Sequence, residues 1–383
     1  NRRVRAKGTY CSEKNNKRYN KKMKVFDLKK QFKFFEKKIN RKITNILSSG
    51  SYILGANVKN FEKNSCKYLG TKYSVSCNSG TDALVMSLRA AGIGTNDHVI
   101  TTPFTYFASS EAISLVGAKP IFADINPHTF NINHKKIEKL ITKKTKAILS
   151  VNLFGQACVL DEISRIARQY GLYHIEDCAQ SFGSSYKKRQ TGTYGDMGCF
   201  SFFPTKNLGC FGDGGLIILK NKKMYDLLLK LRTHGGIKRN QHDLIGYNSR
   251  LDEIQAAILD IKLQHLDMLI DKRIKVADSY FKLIKNDKIR LPFVDKNGVH
   301  TFNQFTIRVK KRNKLENHLR KNGIPYGIYY SMPIYKYKAY ATDKYKSLPM
   351  VEKITNECLS LPIYPEINAK DIRKICNVLN EYD

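Results

Sequence analysis

The 383 residues are 42% hydrophobic, enough for a buried core and more than one lobe, and they carry 67 Lys and Arg against 33 Asp and Glu. A net charge of +34 ordinarily points to nucleic acid or an anionic surface. Here the cations run as KKIEKLITKKT and KLIKNDKIR, with no interleaved aromatics and no RNP-type motif, so no nucleic-acid partner is expected and a phosphate-bearing small substrate suits the balance.

In chain order, residues 1–24 hold ten Lys or Arg against one acid, Glu13, without apolar periodicity. They read as a disordered basic leader, either a translated upstream stretch or a segment of the mature protein. The stretch lacks the apolar core of a secretory signal. Met23 precedes the first globular pattern, VFDLKKQF. Residues 25–255 then alternate strand-like and helix-like runs: YSVSCNS with TDALVMSLRAAGI, HVITTP with YFASSEAISLVGA, KPIFADI with HKKIEKLITKK, and KAILSVNLFG with LDEISRIARQYG. The short apolar runs YHIEDC, MGCFSFF and GGLIILK follow. This pattern predicts an α/β large domain, a mostly parallel sheet flanked by helices, with functional residues at the C-terminal strand ends. Residues 256–383 predict a smaller C-terminal α+β domain, entered through one long helical stretch from Leu251, where Leu251, Ile254, Ile258 and Ile261 recur at helical spacing. Nine cysteines without a CxxC pair, several inside predicted strands, argue against a disulfide framework or zinc site and fit a cytoplasmic location. No apolar run approaches the roughly 18 residues that a membrane helix needs.

Four motifs sit at predicted strand ends. SGTDAL, Ser79 to Leu84, is a strand-to-helix junction at which Gly80 permits close backbone approach and the helix N-terminus offers free N–H groups to a phosphate; alone it is also an ordinary turn and N-cap. In YHIEDCAQSFG, alternation sends Glu176 and Asp177 to opposite faces, so only one of them can face the pyridine nitrogen of a cofactor and keep it protonated. In SFFPTKNLG, Lys206 follows Ser201 and Pro204; burial would lower its pKa and make it a nucleophile and base, whereas alone it reads as a solvated lysine. GCFGDGG, Gly209 to Gly215, is neither a dinucleotide fingerprint nor a P-loop and reads as a tight turn before LIIL.

Phosphate cup, pyridinium carboxylate and lysine in this order match pyridoxal 5′-phosphate. The motifs SGTDAL, TPFTYFAS, LFGQ, IEDCAQSFG, SFFPTKNLG, GDGG, THGG and YNSRLDEIQAAIL, spread from Tyr52 to Pro365, closely resemble the sugar-nucleotide aminotransferases of the DegT/StrS family, which have the fold-type-I architecture. The resemblance implies a seven-stranded large domain, catalytic Lys206 bonded to the cofactor, and catalytic Asp177 on its ring nitrogen. It also implies Gly80, Thr81 and Ser201 around the phosphate, Tyr106 against the ring, and Gln180 on the 3′-oxygen. Asn248 would reach the phosphate from the neighbouring subunit of a homodimer. Arg250 and His234 are substrate-side candidates, Arg250 for a carboxylate. No metal is implied.

Within the family, YILG, TPFTY, FGQ, SFG and CFGDGG resemble the branch that takes UDP-linked 3-keto-hexuronates. This implies transfer from L-glutamate to UDP-2-acetamido-2-deoxy-3-oxo-glucuronate in making surface polysaccharide such as lipopolysaccharide. The rival readings are a 4-keto sugar-nucleotide aminotransferase (perosamine-type), a dehydratase on the same fold, and a non-catalytic polyanion-binding protein. Lys206 speaks against the dehydratase, whose members carry His there. Departures from the family pattern are Asn96-Asp97-His98-Val99 in place of Gly-Asp-Glu-Val, and a His common in the family's small domain that is either replaced by Asn303 or absent within TFNQF.

Overall fold

The computed structural model describes residues 23–383 apart from 239, 342 and 344, so the leader expected over 1–24 lies outside the described residues up to residue 22. The first helix, α1 (Leu28–Ser49), buries Phe35, Ile39 and Ile46 along one stripe and ends at Gly50, whose φ of 67° suits glycine. It leads to α2 (Ala56–Leu69) and then into the large sheet. There β1 (Tyr73–Cys77), α3 (Gly80–Ala90), β2 (His98–Thr101), α4 (Ala108–Leu115), β3 (Lys119–Phe122), β4 (Thr145–Val151), α5 (Leu160–Gln169) and β5 (Tyr173–Asp177) alternate. A small hairpin, β6 (Ser185–Tyr186) and β7 (Arg189–Gln190), precedes β8 (Met197–Ser201), β9 (Gly215–Leu219) and α6 (Lys222–Leu231).

The seven strands lie in the order β1-β9-β8-β5-β4-β2-β3, and all are parallel except β9, which runs antiparallel to β1 and β8. The exception follows from the connections. Parallel neighbours need a crossover, usually a helix, whereas β8 and β9 are joined by a loop without one, and this loop carries Lys206. Alternation along the strands divides the core. Val75, Cys77, Ile175, Met197, Cys199 and Ile217 face α3 and α4, while Phe200, Leu216 and Ile218 face the layer containing α2 residues Val58 and Phe61.

Beyond the sheet, the sequence predicts one long helix, but the chain breaks at Gln264 and His265 into α7 (Glu253–Leu263) and α8 (Leu266–Leu283). The His265 ring packs against Phe34 and Phe35 of α1, so tertiary contact overrides the continuous period. A second expected helix, HKKIEKLITKK, is instead two 3₁₀ turns, His134–Lys136 and Glu138–Leu140. Only Ile137 of that stretch is fully buried, too little apolar surface to hold a helix against the sheet. The remaining elements are β10 (Gly298–Val299), β11 (Phe305–Arg308), α9 (Arg312–Lys321), α10 (Pro349–Glu357), β12 (Cys358–Leu361) and α11 (Ala369–Asn380). A second core gathers Val276, Tyr280, Phe305, Leu315, Leu361 and Ile375. The 255/256 seam read from sequence falls inside α7, whose Ala256, Leu259 and Leu263 pack with Phe61 and Phe202. Among the described residues no helix is long and apolar enough to cross a membrane, no three metal-ligating side chains cluster, and the eight cysteines are unpaired.

Candidate active site

Strand register assembles the site. Asp177 pairs with Cys199 across β5 and β8. Ser201 pairs with Gly215, and Gly215 pairs with Cys77 at the end of β1. The ends of β1, β5 and β8 therefore open on one edge of the sheet. A Cβ on Gly215 would stand 2.2 Å from the Ser79 carbonyl oxygen, so glycine alone lets β9 pass the turn into α3. Across that turn, a Cβ on Gly80 would stand 2.6 Å from Ser201 Cβ. The N-terminus of α3 thus lies directly on the end of β8. Ser79 caps the helix by accepting from the Asp82 N–H at 3.1 Å, which leaves the amides of Gly80 and Thr81 as its first free donors.

Glu176 and Asp177 point to opposite faces. Glu176 is fully buried and accepts from the amides of Gly192, Tyr194 and Gly195 at 2.8, 2.8 and 2.9 Å, so it anchors the turn before β8. Asp177 accepts from the Ser109 hydroxyl at 2.7 Å and the Ala179 amide at 3.0 Å. Ser109 lies on α4 and is 2.9 Å from the Thr105 hydroxyl. Burial pushes the Asp177 carboxyl up, opposed by those two donors and by the charge of Lys206. Lys206, half-buried at the strand edge, is held down to about 8 by the desolvation of its amine, against the pull of Asp177. At neutral pH this gives roughly 300 times more free amine than an ordinary lysine has.

The loop bearing Lys206 is stapled at both ends: Phe202 donates to the Gly214 carbonyl at 2.8 Å and Cys210 donates to the Phe202 carbonyl at 2.8 Å. Behind it lies a cavity of about 10 Å³ lined by Asp27, Gln31, Thr205, Lys206, Arg273 and Glu366. Asn207, buried beside Lys206, accepts from Asn303 at 3.3 Å.

The other expected site residues lie around this edge. Tyr106 is 64% exposed on the β2–α4 connection, three residues before Ser109. Gln180 is buried; it accepts from the Phe154 amide at 2.7 Å and donates to the Tyr330 hydroxyl at 3.1 Å, so its side chain is committed within the protein. Asn248 is exposed and bridges to Thr233 through the backbone. Its neighbour Ser249 donates to Asp82 at 2.6 Å and accepts from the Asn78 amide at 3.1 Å, which pins the YNSR segment to the start of α3. Arg250 is half-buried with no carboxylate in ion-pair range among the described residues. His234 is exposed with a φ of 58°; among the described residues its hydrogen bonds are made by its backbone, the carbonyl to the His242 ring. Sequence reading missed Ser109 and Tyr330. Ser109 lies inside the quoted TPFTYFAS, four residues after Thr105, and that spacing was the available signal.

The residues present fit pyridoxal phosphate. A helix N-terminus and a serine form a cradle that glycine keeps open, a buried carboxylate stands one strand away, and a desolvated amine lies within its field.

Comparison with known proteins agrees with this chemistry. The DegT/DnrJ/EryC1/StrS aminotransferase family pattern matches residues 34–380. The UDP-2-acetamido-2-deoxy-3-oxo-D-glucuronate aminotransferase of Pseudomonas aeruginosa is 40% identical over 357 residues, covering 93% of this chain and 99% of its own. The dTDP-3-amino-3,6-dideoxy-alpha-D-galactopyranose transaminase of Aneurinibacillus thermoaerophilus is also 40% identical, covering 91% and 96%. The crystal structure of S. venezuelae DesV in complex with a ketimine intermediate superposes with a TM-score of 0.92 at 35% identity, covering 94% of this chain and 98% of that one. The chain belongs to the DegT/DnrJ/EryC1/StrS aminotransferase family and is a pyridoxal phosphate-dependent sugar-nucleotide aminotransferase.

Proposed function

We propose that this aminotransferase moves the amino group of L-glutamate to UDP-2-acetamido-2-deoxy-3-oxo-glucuronate, and that it works as a cytoplasmic homodimer in making surface polysaccharide. The observation that carries the catalytic assignment is the desolvated Lys206 in the field of buried Asp177, at the strand edge where Gly80 meets Ser201. When bound, pyridoxal phosphate supplies an electron sink conjugated to the donor's α-carbon. Lys206 Nζ takes the proton from that α-carbon and later returns one at the sugar carbon that receives nitrogen. The Asp177 carboxylate holds the proton at the ring nitrogen, itself held in place by Ser109 and Ala179. The Gly80 and Thr81 amides and the Ser201 hydroxyl bind the phosphate. Tyr106 covers the ring, Gln180 supports the 3′-oxygen side, and Arg250 and His234 face the substrates.

Two features favour this acceptor: the UDP-glucuronate relative at 40% identity and an excess of cations suited to a substrate bearing a carboxylate and a diphosphate. The dTDP-sugar relative at equal identity makes the acceptor the question to test. Exposed Tyr52, Ile53, Tyr106, Phe203 and Phe211 around the site support a second subunit, with Asn248 acting across the interface.

The test is a half-reaction screen. Protein carrying the aminated cofactor is mixed with UDP-3-keto-hexuronate, dTDP-keto and GDP-4-keto sugars, and return of the cofactor's visible absorbance is followed. The UDP-linked acid should react fastest. Faster reaction with a GDP- or dTDP-linked neutral sugar would overturn the substrate, and unchanged absorbance in Lys206→Ala would overturn the lysine.

A further inference from the structure

Among the described residues, Lys262 of α7 lies in the interior, only 1% exposed. Its ammonium donates to the Gly209 carbonyl at 2.6 Å and to Gln31 Oε1 of α1 at 2.9 Å. It stands 4.4 Å from the centroid of the Phe211 ring. Gly209 and Phe211 belong to the second half of the loop that carries Lys206. The same half is held again from α7, where Gln255 Oε1 accepts from the Phe211 amide at 2.8 Å. From α1, Phe32 meets the Phe211 ring edge-on at 5.7 Å. The loop folds tightly on itself at this point, since a Cβ on Gly209 would stand 2.6 Å from the Pro204 carbonyl oxygen.

A buried lysine is seldom retained without work to do, because an apolar side chain of equal length would pack there without desolvating a charge. The charge here satisfies a carbonyl that has no backbone partner among the described residues. It does so three residues after Lys206.

We propose that Lys262 is a positioning residue for amino transfer: wedged between Gln31 and Phe211, it clamps the Gly209 carbonyl and so fixes the loop that presents Lys206. The proposal rests on reading Lys206 as the reactive lysine. The clamp keeps the loop seated and Lys206 half-buried, and desolvation is what lowers the Lys206 pKa to about 8. Lys262 feels the same penalty and is likewise lowered to about 8. A carbonyl held by a charged donor is bound more firmly than by a neutral one, which suits a loop whose lysine must swing between bonded and free states without the backbone following.

The test uses the full-length protein stripped of cofactor. Acetic anhydride labelling of the peptide containing Lys206 is read by mass spectrometry from pH 6 to pH 11. The wild-type profile should turn near pH 8. In Lys262→Met the loop loosens, Lys206 gains water, and its profile should move up by about one pH unit, leaving roughly fivefold less free amine at pH 8. In the reloaded enzyme kcat should fall while the glutamate KM holds. A Lys206 profile that stays at wild type in a folded Lys262→Met protein overturns the proposal. Should Lys262→Met not fold, Gln31→Met, which removes the clamp's side-chain acceptor, decides by the same profile: an upward shift supports the clamp and an unmoved curve overturns it. Labelling reports the clamp whether or not the protein turns over, whereas retained amino transfer in Lys206→Ala would sink the reactive-lysine reading alone.

Discussion

The contact between Gly80 and Ser201 makes a sharp prediction for Gly80→Ala. The backbone at Gly80 lies outside the left-handed region, so alanine is conformationally acceptable and the substitution tests space alone. Its Cβ would meet Ser201 Cβ at 2.6 Å, Ser201 Cα at 3.1 Å and Ser201 Oγ at 3.2 Å. The two closest atoms, Cβ and Cα, cannot swing aside as a side-chain tip can, so the start of α3 must lift away from the end of β8 by roughly 1 Å to restore ordinary contact. Overpacking of this kind costs about 1–3 kcal/mol. If that displacement opens the phosphate cup, it becomes a loss of roughly 5- to 150-fold in cofactor affinity. The assay titrates stripped protein with pyridoxal phosphate and, in parallel, with pyridoxal, which lacks the phosphate. Gly80→Ala should weaken the first and leave the second within about twofold. With Ser201→Gly or Ser201→Ala added, both double variants lack the Ser201 hydroxyl, and the glycine pair, which also lacks the clashing carbon, should bind pyridoxal phosphate more tightly than the alanine pair. Equal losses for the two ligands, or no loss for either, would refute the assignment of this junction to the phosphate.

Three further outcomes are expected. Lys206→Met should raise the stability of the stripped protein by about 3 kcal/mol at pH 7. The lysine's folded value of about 8 lies below the ordinary 10.5, so the unfolded chain binds the extra proton between those values; wild-type stability then climbs over that window and the gap closes near pH 10.5, as calorimetry at pH 7 and pH 10 would show. Ser109→Ala removes the 2.7 Å donor to Asp177, a hydrogen bond to a charged group with a net contribution of about 1.5–3 kcal/mol; single-turnover amino transfer should slow by roughly 10- to 150-fold, and an unchanged rate would show that Ser109 leaves Asp177 unaffected. Mixing Lys206→Ala with Asn248→Ala subunits after dissociation should restore about a quarter of wild-type activity if Asn248 acts across the interface, because half the dimers are then hybrids with one intact site each; no recovery on mixing would place Asn248 in its own subunit's site.

Much of this was legible in the sequence because a doubly wound sheet places its chemistry at strand ends, and strand ends are visible as apolar runs that stop at Gly, Ser, Asp or Glu. The split between Glu176 and Asp177 follows from a period of two. The antiparallel course of β9 was implicit in a GCFGDGG connection with no room for a crossover helix. What could not be read were contacts that only tertiary structure creates. The break after Leu263 arises where His265 meets α1, more than 200 residues earlier in the chain. Lys262 looked like one of 67 cations, and its partners Gly209 and Gln31 are 53 and 231 residues away. HKKIEKLITKK has helix-forming composition but offers the sheet one buried side chain, and propensity without a buried face does not hold a helix.

Helix α8 belongs to both cores: Leu266 and Ile270 pack beneath the large sheet, while Val276, Ala277 and Tyr280 pack in the C-terminal core. Its buried Arg273, between the two sets, donates to the Phe302 and Ile363 carbonyls. A single rigid rod therefore runs through the interior of each lobe, and neither core can come apart while the other stays intact without stripping half of that rod. Heat or denaturant should accordingly meet one cooperative protein rather than two linked ones, with a single transition spanning the whole described chain.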